Sequence, residues 1–400
     1  MNDQKVKLDQ FDEWLKDDSD VAALVMRQWL EPVEGKDAVI FPPTYAKPKP
    51  SRDNPIPMKK EDEENWLGYN IDRFKDGTSV CQIDSVGSQA NRMEPIFKRE
   101  EYKHLVPQVI IKAGERQIHL LDAGHRAADA IVRFSSLDSD LYKAFLAWQD
   151  EGNAEPLARI APTSIVFGSW DSRATHAKLP RVVRSVIRAF NVEMLHRSAQ
   201  YSTIAGEILK GGDAEVTTEG TEAKLGLAHV PAPWTHGGVK VLQEIRREVT
   251  VNLEAIRKLG APRKRDDTLE LRRYILGLAL VSVTARQETS LREGCQLVPD
   301  PDRPCDSKLV THDGRRRDFA VPPDQAVAYA TASARMFGVE QPQTTAQFDI
   351  KLAKDVRSLS EDDRKKLLRQ GPVTWEAIEQ LAKKSPKKGK GKDAAPETEA

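Results

Sequence analysis

The chain has 400 residues, with 61 basic against 61 acidic, 39% hydrophobic and 30% charged. That composition fits a soluble globular protein, and no run approaches the roughly eighteen apolar residues of a membrane span. Four hundred residues are many for a single core, so two lobes or one lobe with large insertions are expected. The start, MNDQKVKLDQF, holds no apolar signal core, which argues against secretion. Cys81, Cys295 and Cys305 make no disulfide framework and fit a reducing cytoplasm. Cys295 and Cys305 could pair or bind metal. No Cys-x-x-Cys or matched histidine pair accompanies them, so structural thiols are the expected reading.

Residues 8–30 read as one or two amphipathic helices, with Phe11, Trp14, Leu15, Leu24, Val25, Trp29 and Leu30 as the apolar side. Residues 41–60 are proline-rich and cannot enter a helix or a central strand, so an extended exposed arm is expected. Between Gly77 and Phe97, a strand from Ser79 to Ile83 meets Asp84-Ser85. Ser88 is a candidate cap for a short helix holding Gln89, Asn91 and Arg92. Asp84 at a strand end suits a catalytic acid, a metal ligand or a turn cap. No second carboxylate at a useful spacing favours the first two.

Gln108 to Asp122 reads as a hairpin turning at Ala113-Gly114-Glu115. Asp122 is a candidate cap for the helix that follows, with His125 and Arg126 near its start. His125 suits a general base, but with no nucleophile assigned to it a structural or phosphate-contact role is expected. Residues 138–149 form a further helix ending near Gly152.

Pro162 to Tyr201 is the most informative stretch. An apolar run, Ile165-Val166-Phe167, reads as a strand ended by Gly168. A polar loop holds Trp170, Asp171, Ser172, Arg173, Thr175, His176 and Lys178. Leu179-Pro180 then reads as a helix start, since Pro is accepted in the first turn. At helical spacing, Arg181, Arg184 and Arg188 share one face, and Val182, Val183, Val186, Ile187 and Phe190 share the other. The stretch carries Arg173, Lys178, Arg181, Arg184, Arg188 and Arg197 against Asp171 and Glu193. A solvated helix face explains such a pattern in general. Here few carboxylates lie within helical reach of the arginines, which points to an anionic ligand.

Residues 201–210 read as helical, 211–222 as an acidic loop, and Leu225 to Gly238 as a ligand-facing loop. Val239 to Leu259 and Thr268 to Thr289 read as long helices, the second in the core. Ser307 to Val321 reads as a hairpin turning at Asp313-Gly314, and 323–337 and 360–382 as helices. Residues 383–400 are a low-complexity basic tail, expected to be disordered. Without a regular strand-helix alternation, the order points to α+β.

No Gly-x-Gly-x-x-Gly, His-Glu-x-x-His, Gly-x-Ser-x-Gly or zinc ligand set occurs, so neither cofactor nor metal is expected. His176, His196, His229 and His236 lie in or near the basic region without a defined spacing. The positive evidence is for binding. Arginines suit phosphates, and Trp170, Tyr201 and Trp234 are candidate stacking surfaces for unpaired bases.

The run TSIVFGSWDSRATHAKLPRVVRSVIRAFNV, with RSAQYS, IDSVGSQANRME and LLDAGHRAADAI, resembles the backbone subunit of type I-U (I-G) CRISPR Cascade complexes, within the RAMP superfamily. The matched blocks cover residues 66–210. The resemblance implies an RRM-like, ferredoxin-like palm with helical finger- and thumb-like insertions. The chain then divides into an N-terminal arm (1–60), the palm with its insertions (61–382) and the tail (383–400). It implies several copies in a helical filament along one crRNA, which pairs with target DNA. It also implies a large subunit, a repeat-handle-binding subunit and a helicase-nuclease recruited on target binding. Arg92, Arg126, Trp170, Arg173, His176, Lys178, Arg181, Arg184, Arg188, Arg197, Gln200 and Tyr201 become candidate RNA contacts. Backbone subunits of type I systems are not nucleases. Relatives in type III complexes cut RNA with a loop aspartate, which keeps an RNA-cleaving enzyme using Asp84 as the alternative.

Overall fold

The computed structural model describes residues 7–47, 68–201, 224–226, 230–261, 265–339 and 343–384. The acidic loop 211–222 and most of the proline-rich arm lie outside the described residues. So do the expected helix 201–210, apart from Tyr201, which ends β9, and the basic tail 383–400, apart from Lys383 and Lys384, which end the helix Trp375–Lys384. The strands, in chain order, are β1 (Val21–Pro32), β2 (Val39–Ile40), β3 (Ile71–Arg73), β4 (Ser79–Asp84), β5 (Val109–Ala113), β6 (Arg116–His119), β7 (Ser169–Trp170), β8 (Lys178–Leu179), β9 (Val183–Tyr201), β10 (Val230–Asn252), β11 (Ser290–Arg292), β12 (Cys295–Pro299), β13 (Asp306–Thr311), β14 (Arg316–Asp318) and β15 (Thr344–Gln347).

The main sheet is antiparallel and centres on β1 and β10. β9, β10, β1 and β13 lie side by side in that order. The chain passes from β1 to β9 through helical segments, from β9 to β10 as a hairpin, and from β10 to β13 past the helix Arg265–Thr284. Strand, helix, two hairpin strands, helix, strand, with the first strand between third and fourth, is an α+β arrangement compatible with an RRM-like palm carrying helical insertions. β4 and β3 extend the sheet beyond β9, and β12 and β11 extend it beyond the far end of β1. A second sheet places β15 parallel to β5 and β5 antiparallel to β6.

One face of the main sheet is covered. Leu24, Val249 and Val251 join a large core with Tyr274, Ile275, Leu278 and Val281 of the helix Arg265–Thr284. That helix is the apolar core element expected from its sequence. Gly277 lets it approach the helix Pro323–Phe337, since a Cβ there would stand 2.8 Å from the Cα of Ala330. A smaller core of Ile83, Ile187, Ala189, Ile245 and Leu297 lies under the β4 side. The helices Ile350–Ser358, Glu361–Gln370 and Trp375–Lys384 close a third core around Leu352, Val356 and Leu367.

Several expected elements differ. Only Leu8–Leu15 is helical in the 8–30 region; Val21 onward is the central strand β1. Its aliphatic and β-branched run stands between two partner strands, and that pairing overrides a helical spacing. Residues 165–167 belong to a helical turn, Thr163–Val166, opened by Pro162. The helix expected from Leu179 is β8 and β9, and the helix expected over 239–259 is β10 followed by the short helix Leu253–Arg257. The cap of the helix Val86–Met93 is Ser85, whose hydroxyl accepts from the Ser88 N–H. The hairpins at 109–119 and 306–318 stand where the sequence places them, the latter turning through Gly314 at φ 82°.

Candidate nucleic-acid interface

β7 and β8 pair Trp170 with Lys178, which closes residues 171–177 into a tight loop. A buried carboxylate holds that loop from inside. Asp171, 3% exposed, accepts from the Thr175 N–H at 2.9 Å, the Thr175 hydroxyl at 2.8 Å and the Arg133 guanidinium at 2.6 Å. Burial pushes the Asp171 carboxyl up, but the Thr175 and Arg133 hydrogen bonds outweigh it and the net shift is downward. The His176 N–H donates to the Asp171 carbonyl at 2.9 Å, with His176 in the left-handed region at φ 60°. The inward Asp171 and Thr175 are therefore satisfied, and the outward residues are Trp170, Arg173, His176 and Lys178, all exposed. Lys178 lies over the Trp170 ring at 5.9 Å. Arg173 and His176 form no ion pair among the described residues.

Arg181 closes the loop from below. Its guanidinium donates to the Phe167 carbonyl at 3.0 Å, and its side chain lies against Gly168. A Cβ at 168 would stand 2.6 Å from the Arg181 Cγ, and the φ of 77° there already favours glycine.

Arg184 and Arg188 are two residues of a strand face, not a helix face. Register places Arg184 opposite Thr250 and Arg188 opposite Arg246 on the uncovered side of the sheet. Arg184 is exposed and forms no ion pair among the described residues. Arg188 pairs with Glu248 at 3.0 Å, and Arg246 pairs with both Glu248 and Glu244. Glu244 also takes Arg303 and the Trp29 indole N–H. Arg246 covers Phe190 at 4.0 Å and Arg303 covers Trp29 at 4.3 Å. Val186 falls on this face and is buried, whereas the opposite side of β9 carries Val183, Ser185, Ile187 and Ala189.

Arg197 is exposed near the far end of β9, beside a stack of His196 on Trp234 at 3.6 Å. Gln200 and Tyr201 are the last residues of β9. His236 is exposed, packing edge-on to Tyr69; His229 lies outside the described residues.

Two candidates are turned inward. Arg126 is 5% exposed, pairs with Glu94 at 2.8 Å, donates to the Asn91 side chain and lies over the Phe167 ring. Its guanidinium is spent on packing the helix Val86–Met93 against the Phe167 turn. Arg92 is tied to Asp84, Glu288 and the Leu291 carbonyl. Asp122 pairs with Lys98 and caps no helix, and His125 is exposed. Asp84 is 4% exposed and accepts from Gln89 at 2.7 Å and Arg92 at 3.2 Å, so it is neither free nor a turn cap. Among the described residues no group of three His, Cys, Asp or Glu could hold a metal ion. Cys81 and Cys295 are buried, with burial pushing both thiols up to about 12, and Cys305 is a free, exposed thiol.

Sequence reasoning missed the Asp171–Arg133 pair, because nothing in the spacing joins residues 38 positions apart. Asp171 and Thr175 alone carried a signal: an Asp followed four residues later by Thr suits a self-bonded loop.

No curated protein matches the chain at a significant level. Residues 24–194 match the model of a family described as CRISPR-associated protein GSU0053. That segment runs from β1 through the loop into β9, and over it the chain is similar to that CRISPR-associated family.

Proposed function

We propose that the chain is a non-catalytic backbone subunit of a type I CRISPR surveillance (Cascade) complex, binding the crRNA backbone. In this reading copies stack in a helical filament along the guide and present its bases to target DNA. The large subunit, the repeat-handle-binding subunit and a recruited helicase-nuclease complete the assembly. One observation carries the reading. The 169–179 loop is braced inside by Asp171, and its outward Arg173, His176 and Lys178, beside the exposed Trp170, form no ion pair among the described residues. Cations without local carboxylates suit phosphates, and an exposed indole suits an unstacked base. Arg184 extends that surface onto the open sheet face.

Purification and RNA sequencing test it. The protein should carry RNA with repeat-derived ends, and its affinity for single-stranded RNA should fall with salt by about 0.7 log units per decade for each phosphate contact. A nuclease-treated oligomer that never held RNA would leave a protein scaffold instead. The alternative, RNA cleavage by Asp84, meets a carboxylate already engaged by Gln89 and Arg92. Regular cleavage of complementary RNA with Mg²⁺, lost in Asp84→Ala, would reinstate it.

A further inference from the structure

Under the covered face of the main sheet, near the C-terminal end of the helix Arg265–Thr284, lies a cavity of about 550 Å³. That volume falls within the range of small-ligand sites. Its walls are mostly apolar: Leu24 and Met26 of β1, Val249 of β10, Leu297 of β12, and Val283 and Phe319. Arg247 also lines it, and is 4% exposed.

Arg247 has no counter-ion among the described residues. Its Nε donates to the Ser185 hydroxyl at 3.1 Å, its Nη1 to the Gln28 amide oxygen at 3.5 Å, and its Nη2 to the Met93 sulfur at 3.4 Å. A guanidinium offers five N–H donors, and these acceptors are a hydroxyl, an amide at the limit of bonding distance and a thioether. Other buried arginines of the chain are better matched. Arg126 and Arg133 have Glu94 and Asp171, and Arg257 has two backbone carbonyls at 2.9 Å. Burial lowers the Arg247 pKa to about 10, so the group stays charged at neutral pH. The carboxylate nearest along the hydrogen bonds is Asp84, reached only through Ser185 and Gln89, and Arg92 already holds it. Glu288 at the cavity wall also pairs with Arg92.

A buried unpaired charge in an apolar chamber is costly unless something completes it. We propose that this cavity binds a small apolar carboxylate, of the size of a medium-chain fatty acid. Its carboxylate pairs with Arg247 and its hydrocarbon body lies on Leu24, Met26, Val249 and Leu297. The site is separate from the nucleic-acid surface, because Arg247 points to the opposite side of the sheet from Arg246 and Arg188.

Octanoate is the probe and octanol its uncharged control, titrated calorimetrically into the full chain at pH 7.5. Octanoate should bind at least about tenfold more tightly than octanol, the margin of one charge-assisted pair. Arg247→Met, which keeps length and removes charge, should erase that margin and leave octanol within about twofold. Leu297→Trp should weaken both by filling the chamber. Equal binding of the two probes, no octanoate binding, or undiminished octanoate binding by Arg247→Met each overturns the proposal. The wild-type comparison stands even where a variant fails to fold, and neither probe reports on RNA.

Discussion

The 169–179 loop and the open face of the main sheet are both rich in cations, and they treat them in opposite ways. On the sheet, Arg188, Arg246 and Arg303 lie against Glu244 and Glu248, and two of them also cover aromatic rings. Arg188 is neutralised across strands by Glu248, Arg246 within its own strand by Glu244 and Glu248, and Arg303, from the segment after β12, by Glu244. These charges are spent on holding the sheet together. In the loop, the one carboxylate, Asp171, faces inward to Arg133, and the outward cations form no ion pair among the described residues. A count of arginines cannot separate these two surfaces. Which carboxylates stand within reach does separate them, and that is a property of register and loop closure.

The contrast can be broken at its strongest point first. Asp171→Ala leaves Arg133 buried and unpaired, which should cost about 3–5 kcal/mol. Melting should fall by at least about 5 °C, and RNA affinity with it. An unchanged melting curve would remove the loop's internal brace from the account.

Next, Arg173→Ala, Lys178→Ala and Arg184→Ala combined should flatten the salt dependence of RNA binding by about two log units per decade. Melting should move little, since none of the three forms an ion pair among the described residues. The same triple at Arg181, Arg184 and Arg188 should flatten it less, because Arg181 and Arg188 are engaged internally. Equal effects from the two triples would erase the distinction between the surfaces.

Beneath the loop, Asp138 sharpens the picture through pH. Burial raises its pKa to about 6 from an ordinary 3.8, despite the Val373 N–H at 2.7 Å and nearby Arg133. Because the folded value is the higher one, the stability linked to protonated Asp138 is complete below about pH 4. It is lost as pH rises through 6. Asp138→Asn should therefore raise stability at pH 7.5 by about 2 kcal/mol and leave pH 3.5 nearly unchanged. Chemical denaturation at the two pH values reads this, and an equal change at both would refute it.

The smallest effect belongs to the sheet face. Arg188→Ala should cost under about 1 kcal/mol, the usual worth of a partly exposed pair. Its change in RNA salt slope should fall below the 0.7 units of one phosphate contact.

Why did β9 read as a helix? Arg184 and Arg188 are four residues apart, and four is both about one helical turn and an even number of strand steps. The pair shares a face under either period, so it could not decide. Arg181 could have decided, since a step of seven to Arg188 is near two helical turns but odd for a strand. The adjacent Val182-Val183 and Val186-Ile187 pairs gave the better signal, because β-branched residues crowd a helix and suit a pleated surface. The same holds for VKVLQEIRREVTVN of β10. Local elements with their own punctuation were legible: the hairpins at Gly114 and Gly314, the helix stopped by Gly152, and the apolar helix Arg265–Thr284. The basic loop was legible as a composition. Its brace and the inward turn of Arg126 rest on partners far away in sequence and were not.

The place of β1 in the sheet has a consequence for how the chain is made. Ala23 pairs with Asn252 on one side, 229 residues later, and Leu24 pairs with Leu309 on the other. At about 5–20 residues per second, β1 leaves the ribosome roughly 10–45 s before its first long partner exists. During that interval both its edges are open to other chains. Its exposed Arg27 stands mid-strand, where a charge discourages such pairing. The central strand of the finished sheet is thus the first to be synthesised and among the last to be enclosed.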